Sequence, residues 1–314
     1  PVSGAVASNY AGLAALDIGG PAAMQERAHA VLEAATPPYP LPEDLGVRTR
    51  HIKSLGYFLG ADVVGTCHIP PYAVYSHDSA GRPVQNDHPN AVAIVVDQGY
   101  ATMDASTGSD WISAAQSHRA YTTSAFIAFA VAAYIRKLGY AARVHYSEDY
   151  QLVLPPLLLL AGVGEIARNG IVLNPFLGLR FKAAVVSTDM PLQADRPVDF
   201  GLQDFCKKCK KCAAECPSQA ISYDDEMSLY NGYERYPFSA ERCTRFRLTN
   251  PHGSFCGRCI KVCPWNKPAG WSHDLVRWMI RVAPSLHGLF VKMDDLLGYG
   301  KANRDRQWWF DPED

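Results

Sequence analysis

The 314-residue chain is nearly free of cysteine outside one short segment. Eight of its nine cysteines lie between Cys206 and Cys263, and Cys67 stands alone. Disulfide-stapled secreted domains spread their cysteines through a chain too short for a large core, so this distribution excludes that class. Positive charge is not in surplus either, with Lys+Arg 30 against Asp+Glu 31. Nucleic-acid binding draws much of its strength from counterion release by clustered cations, so no nucleic-acid partner is expected. Long apolar runs are also missing. Ala120–Ile135 is uncharged for sixteen residues but holds Tyr, Thr and Ser, whereas a membrane-crossing helix needs about twenty mostly apolar residues. The Leu-rich run Leu152–Val163 is shorter and carries Pro155 and Pro156. Both read as core segments, and no membrane span is expected. No Arg-Arg pair occurs and the sequence begins with Pro1. A twin-arginine export signal is therefore not in the text, and a cytoplasmic location is expected. A G-x-G-x-x-G nucleotide fingerprint, low-complexity tracts and repeats beyond the cysteine motifs are likewise absent.

What is present is a globular composition, 48% hydrophobic and 19% charged, too apolar for a disordered chain. Pro21–Ala35 reads as a helix before the proline-rich break 36–42. His51–Leu59 reads as helical, Asp62–Cys67 as a short strand, and Ala91–Asp97 as a buried strand of β-branched residues. Tyr121–Leu138 is the strongest helix, with Gly139 in the place of a terminating glycine. Ala141–Tyr146 and Ala183–Thr188 are further strands. Helices alternating with strands imply a layered α/β domain over about residues 51–190. Met190–Phe205 is polar and extended. Ser272–Val282 reads as an amphipathic helix presenting Leu275, Trp278, Met279 and Val282.

The cysteines form two motifs, Cys206-x2-Cys209-x2-Cys212-x3-Cys216-Pro217 and Cys243-x12-Cys256-x2-Cys259-x3-Cys263-Pro264. The first is the run of two-cluster ferredoxins, in which the cysteine before proline serves the other cluster. A short loop can bend three thiolates around three corners of a cubane, while the fourth leads away to the neighbouring one. On that pattern Cys206, Cys209, Cys212 and Cys263 hold one 4Fe–4S cluster, and Cys216, Cys243, Cys256 and Cys259 hold the second. Two zinc sites would also use eight thiolates, but zinc motifs rarely repeat this spacing. Cys67 reads as a small buried hydrophobe, and His68 and His77 as structural. Lys207, Lys208, Lys210 and Lys211 either dock an acidic electron donor or offset cluster charge.

Two clusters alone make an electron wire, so the long region before Cys206 implies a catalytic or cofactor domain that receives electrons. Gly162, Gly164 and Gly170 lack nucleotide spacing yet would let backbone approach a large cofactor. No D-x-H-x-x-G segment is present to supply a cobalamin-ligating histidine.

An ordered set of segments carries a resemblance over residues 51–270. It comprises Ile52–Gly65, Ala133-Tyr-Ile-Arg-Lys-Leu-Gly-Tyr140, Leu160-Ala-Gly-Val-Gly-Glu-Ile-Ala-Arg-Asn-Gly170, Asn174-Pro-Phe-Leu-Gly178, Ser187-Thr-Asp-Met-Pro-Leu192 and Asp204-Phe-Cys-Lys-Lys-Cys209. In this order they resemble the corrinoid-dependent reductive dehalogenases and the related epoxyqueuosine reductases. The acidic and W-x-G-K-N signatures of the second group are missing around Tyr150–Pro156 and Glu165–Asn169, which favours the first. The resemblance implies an α/β (α+β) fold: a nitroreductase-like, corrinoid-binding layered domain carrying a two-cluster ferredoxin-like module. It implies cobalamin as a cofactor, with Gly162, Gly164, Asn169, Gly170 and Asn174 as candidate contacts. It also implies Tyr121, at the start of its helix, as proton donor, and Lys182, just ahead of a strand, as its assistant. Arg245 and Arg247, in an expected loop between Cys243 and Cys256, are candidate anchors for a carboxylate or phenolate.

The division expected is an N-terminal extension over 1–50, a corrinoid-binding catalytic domain over 51–195, a ferredoxin-like domain over 196–270, and a C-terminal helix and tail over 271–314. The expected substrate is a small halogenated organic compound, a halogenated phenol or hydroxybenzoate. Electrons would come from an external or fused reductase or ferredoxin. The alternatives are an epoxyqueuosine reductase-like corrinoid iron–sulfur reductase and a non-catalytic ferredoxin-type electron-transfer subunit.

Overall fold

The computed structural model describes residues 41–78, 80–250 and 255–310. The expected helix over Pro21–Ala35 lies outside them. The first described helix, α1 (Leu45–Phe58), begins six residues earlier than its apolar pattern suggests, because Asp44 caps it by accepting from Gly46 N at 2.7 Å and Val47 N at 3.3 Å. Four strands follow: β1 (Val63–His68), β2 (Asn90–Asp97), β3 (Ala142–His145) and, two short β-segments later, β6 (Phe181–Thr188). They form one sheet in the order β1-β2-β6-β3, and every pairing is antiparallel. The alternating layers expected are present, but the sheet is a mixed helix-and-strand arrangement without parallel crossover pairing.

Strand pleating sorts the side chains onto two faces. Val92, Ile94, Val96, Ala184 and Val186 pack on one face with Ile127, Val131 and Ile135. Those three belong to α3 (Trp111–Lys137), which lies across the sheet after the short helix α2 (Tyr100–Ala105). Ala91, Ala93, Val95, Ala183 and Val185 face the other way, against Leu157 and Leu158 of α4 (Leu154–Leu160). Each buried branched side chain contributes about 1.5–3 kcal/mol. Gly139, at φ 91°, follows α3 as expected.

Two of these elements differ from the expected bounds in ways that bear on function. Helix α3 starts at Trp111, so Tyr121 sits well inside it. Its first turns carry Ser113 and Gln116, polar yet buried, and so were unreadable as an apolar stripe. Strand β6 starts at Phe181, so Lys182 lies within it.

The small hairpin β4 (Glu165–Ile166) and β5 (Val172–Leu173) leads toward the cysteine segment. There α5 (Leu202–Cys209), α6 (Lys211–Ala214), a hairpin of β7 (Ser228–Tyr230) and β8 (Tyr233–Arg235), α7 (Ala240–Thr249) and α8 (Arg258–Lys261) follow. The extended segment after Met190 therefore ends at Leu202. The expected loop carrying Arg245 and Arg247 is helix α7, capped by Ser239 accepting from Arg242 N at 3.3 Å. Helices α9 (Trp271–Val282) and α10 (His287–Leu296) complete the described chain. Helix α9 has the expected bounds but turns a different face inward. Val276, Met279 and Ile280 pack on the third core, while Leu275, Trp278 and Val282 are exposed. That core joins Leu173 and Leu179 to Phe205, Tyr236, Ile260, Trp265 and Phe290. No described helix is long and apolar enough to cross a membrane.

Gly164 shows how closely the open end of the β4–β5 hairpin is packed. A Cβ there would sit 1.9 Å from the Leu173 carbonyl oxygen, so backbone would have to move. Gly164→Ala is expected to lower the melting temperature by several degrees, whereas Gly288→Ala, with nothing within 4 Å of its Cβ position, should be neutral or slightly stabilising. Equal melting temperatures by differential scanning fluorimetry would contradict this account.

Candidate active site

The pleat of β6 decides where Lys182 points. Lys182 pairs with Val96 in the ladder, and its even-numbered neighbours Ala184 and Val186 face α3. Lys182 therefore faces α3 as well, and its Nζ lies 5.0 Å from the centre of the Tyr121 ring. The two expected proton-transfer residues thus meet, although one is mid-helix and the other mid-sheet. They border a cavity of about 450 Å³, within the usual range for a small-molecule site.

Other expected residues divide between this cavity and the scaffold. Asn169, Gly170 and Arg247 line it. Asn169 is buried, and its Nδ2 finds no acceptor in hydrogen-bond geometry. The amide faces the Cys259 sulfur, whose thiolate it favours. Arg247 stacks over Phe255 at 4.8 Å, with its Nε buried and unpartnered. Gly162, Gly164 and Asn174 do not reach the cavity. A Cβ at Gly162 would meet the Arg196 carbonyl at 2.6 Å. Asn174 holds a turn, donating to Val163 O and accepting from Phe176 N and Leu177 N. Arg245 is largely exposed and pairs with Glu241 at 3.4 Å.

The eight clustered cysteines gather about two centres, with Cys212 near Cys259 as well as near the first group. Cys212 and Cys263 share the surroundings of Cys206 and Cys209, while Cys259 neighbours Cys256, Cys243 and Cys216. The cysteine before each proline thus lies near thiols of the other motif, Cys263 near Cys206 and Cys209 and Cys216 near Cys243, Cys256 and Cys259. Burial pushes the Cys206 and Cys259 thiols up to about 12 and Cys209 to about 11. Buried thiols left to themselves stay neutral, and a bound thiophilic metal cation is what ionises them. The donor set therefore fits iron–sulfur clusters. All four cysteines of the second set, Cys216, Cys243, Cys256 and Cys259, border the cavity, and none of the first set does.

The remaining candidates are structural. Cys67 is buried, its thiol pushed up to about 12 by burial and by nearby Asp195. His68 hydrogen-bonds Asn90 Oδ1 at 2.8 Å, and His77 the Ser76 hydroxyl at 3.1 Å. Lys210 pairs with Asp225, and Lys211 with Asp294 and Asp295. Lys207 makes a marginal 4.0 Å pair with Asp204, and Lys208 is exposed.

Sequence reasoning missed Tyr75, Tyr150, Tyr233 and Arg235, which also line the cavity. Burial, and then the nearness of Tyr121, push the Tyr150 hydroxyl well up, so it remains a protonated phenol. None of the four stands in a recognisable spacing, because they come from loops and a small hairpin.

Residues 205–267 match the 4Fe-4S dicluster domain family. The tetrachloroethene reductive dehalogenase of Desulfitobacterium hafniense is 34% identical over 229 residues, covering 69% of this chain and 40% of that protein. The enzyme of the same name from Sulfurospirillum multivorans is 36% identical over 182 residues, covering 56% and 36%. Among solved structures, the catabolic reductive dehalogenase NpRdhA superposes with a TM-score of 0.82 at 41% identity, over 92% of this chain and 43% of that one. The epoxyqueuosine reductase of Leadbetterella byssophila matches a shorter stretch, 32% identical over 108 residues. The chain is thus a homologue of the reductive dehalogenases, which are oxidoreductases, and a more distant relative of epoxyqueuosine reductase. It spans 40–43% of the length of the dehalogenases that it matches over most of its own.

The crossed cysteine sets carry a testable consequence. Cys216→Ser should remove the cluster of Cys243, Cys256 and Cys259 while sparing the other, lowering iron from about eight to about four atoms per chain. Cys67→Ser should leave iron unchanged. Iron analysis after anaerobic reconstitution checks both, and loss of the first set's cluster instead would break the crossed assignment.

Proposed function

We propose that this protein is a corrinoid-dependent reductive dehalogenase acting on a halogenated phenol or hydroxybenzoate. The observation that carries the reading is the cavity itself, which the Lys182–Tyr121 pair and the second cysteine set both line. One solved structure of NpRdhA is a complex with 3-bromo-4-hydroxybenzoic acid, and a similar reductive dehalogenase structure suggests a mechanism for B12-dependent dehalogenation. Two 4Fe–4S clusters, one in each cysteine set, relay electrons from an external or fused reductase or ferredoxin. A corrinoid, when bound, supplies the redox chemistry at the carbon–halogen bond. Asn169 and Gly170 would border it, the first with its amide turned to the Cys259 sulfur and the second by lacking a side chain on the cavity wall. The helix–sheet–helix stack over 51–195 is read as the nitroreductase-like corrinoid domain and 196–270 as the ferredoxin-like one, with the reaction in the cytoplasm.

This chain's own residues then have defined tasks. Tyr121 Oη holds the proton that takes the place of the departing halide. Lys182, with its Nζ 5.0 Å from the ring centre, offers a cation to the phenolate left behind. Tyr75, Tyr150, Leu152 and Phe255 keep bulk water from the site. Arg247, with an unpartnered buried Nε, takes an anionic group of the substrate, a task that Arg245 on the exposed face of α7 does not share.

Tyr121→Phe keeps the ring and its packing but removes the proton. It should retain iron and corrinoid yet lose turnover by roughly a hundredfold or more, the usual worth of a positioned acid. Near-normal turnover of a brominated hydroxybenzoate would eliminate Tyr121 as the donor. In the same assay Arg247→Ala should raise KM by about tenfold or more, in line with a lost charge-assisted contact, while Arg245→Ala leaves it unchanged. Equal KM values for the two variants would remove Arg247 from the site.

A further inference from the structure

The cavity wall has an unbalanced charge. Among the described residues it carries Lys182, Arg235 and Arg247, and no carboxylate. Lys182 stands over Tyr121, and Arg247 lies beside Cys243 and Cys256. Arg235 has neither neighbour. It ends the β7–β8 hairpin, whose turn places Asn231 at φ 45° and Gly232 at φ 84°, the left-handed pair of a tight hairpin. A Cβ on Gly232 would lie 2.3 Å from the Tyr72 ring, so the hairpin tip rests against that ring. Strand alternation then turns Tyr233 and Arg235 into the cavity and leaves Glu234 in solvent.

The Arg235 guanidinium stacks face-on over the Tyr230 ring, 3.5 Å from its centre. Among the described residues no carboxylate pairs with it. Stacking occupies the face of the group and leaves its N–H edge free, the edge that receives a carboxylate bidentately. Across the mouth Tyr75 also lines the cavity and lies near Tyr230. The relatives named for tetrachloroethene are named for an uncharged substrate. A half-buried, unpaired arginine in a wall without carboxylates has no partner in such a molecule.

We propose that Arg235 is the specificity residue of this site, taking the carboxylate of a hydroxybenzoate-type substrate at the mouth while the phenolic end reaches Tyr121 and Lys182. The assignment rests on the dehalogenase reading and deepens it, by selecting carboxylated aromatics over neutral halides. The test is calorimetric titration of cofactor-loaded, full-length protein with 4-hydroxybenzoate and with phenol, neither of which carries a halogen. Arg235→Gln should weaken 4-hydroxybenzoate about tenfold or more and leave phenol within about twofold. Arg235→Lys, which keeps the charge but not the fork, should fall between. Iron and corrinoid contents should match the wild type. Unchanged 4-hydroxybenzoate binding in the Gln variant overturns the proposal. So does a parallel loss of both ligands, the mark of a merely structural hairpin. Reduced corrinoid content overturns it too, assigning Arg235 to an anionic group of the cofactor. Because the titration needs no turnover, absence of dehalogenation with intact discrimination would count against the reaction and not against Arg235.

Discussion

One buried cation, Arg168, fixes how the sheet and the cysteine segment meet. Its side chain is fully buried, and its guanidinium donates to the backbone carbonyls of Cys206, Ser222 and Asp224. It also lies 4.4 Å from the centre of the Tyr236 ring and 3.3 Å from the Asp225 carboxylate. A charge so placed is tolerable only because every guanidinium nitrogen finds an acceptor, and hydrogen bonds to charged groups are worth about 1.5–3 kcal/mol apiece. Asn169 and Gly170 follow it directly in the chain and form cavity wall. The tether therefore sets the distance between the cavity and Cys206, and hence the frame in which both cysteine sets sit. The third hydrophobic core fills the same seam, so the two halves pack as one body around the site.

On the opposite wall the constraint is pleating. Strand β6 is central, paired on both sides with β2 and β3. A one-residue slip in its register would turn Lys182 from α3 toward α4 and bury Ala183 and Val185 on the wrong side. The hydrophobic pattern that secures the two cores thus also aims the lysine at Tyr121. The contact between them needs no special backbone, since Lys182 and Tyr121 occupy ordinary strand and helix positions.

Much of this was legible in the sequence, for reasons that separate cleanly. The cysteine spacings carry their partners with them, because a cubane demands three thiolates from one loop and a fourth from elsewhere. Strands β2 and β6 announced themselves through β-branched runs buried on both faces. The front of α3 did not. Ser113 lies against Gly257 of the cysteine segment and Gln116 against the Met103 sulfur of α2, so polarity there signals interior and not loop. Gly162 and Gly164 were rightly marked as places of close approach, but glycine tells only that something is near, and here it is backbone at Arg196 and Leu173. Helix α7 buries no residue at all, so no apolar stripe could have revealed it. Arg235 was invisible because its role depends on a hairpin turn and on what stands across the cavity.

The surroundings of the two cysteine sets differ in a way that suits the proposed flow of electrons. Around the first set Cys209 lies near Asp294 and Asp295 as well as Lys211, and Asp294 is shared between Lys211 and Lys267. Charges there largely cancel. Around the second set Cys243 faces Arg247, and Cys256 faces Arg247 and Arg258. Arg258 is paired with Glu215 at 2.9 Å, which leaves Arg247 as the surplus cation. Adding an electron to a cluster makes it more negative, and fixed cations favour that state most where water is excluded. The cation-rich set is also the set that borders the cavity. An electron arriving at the first cluster would therefore find the second the better resting place, beside Lys182 and Tyr121, where the proton is held.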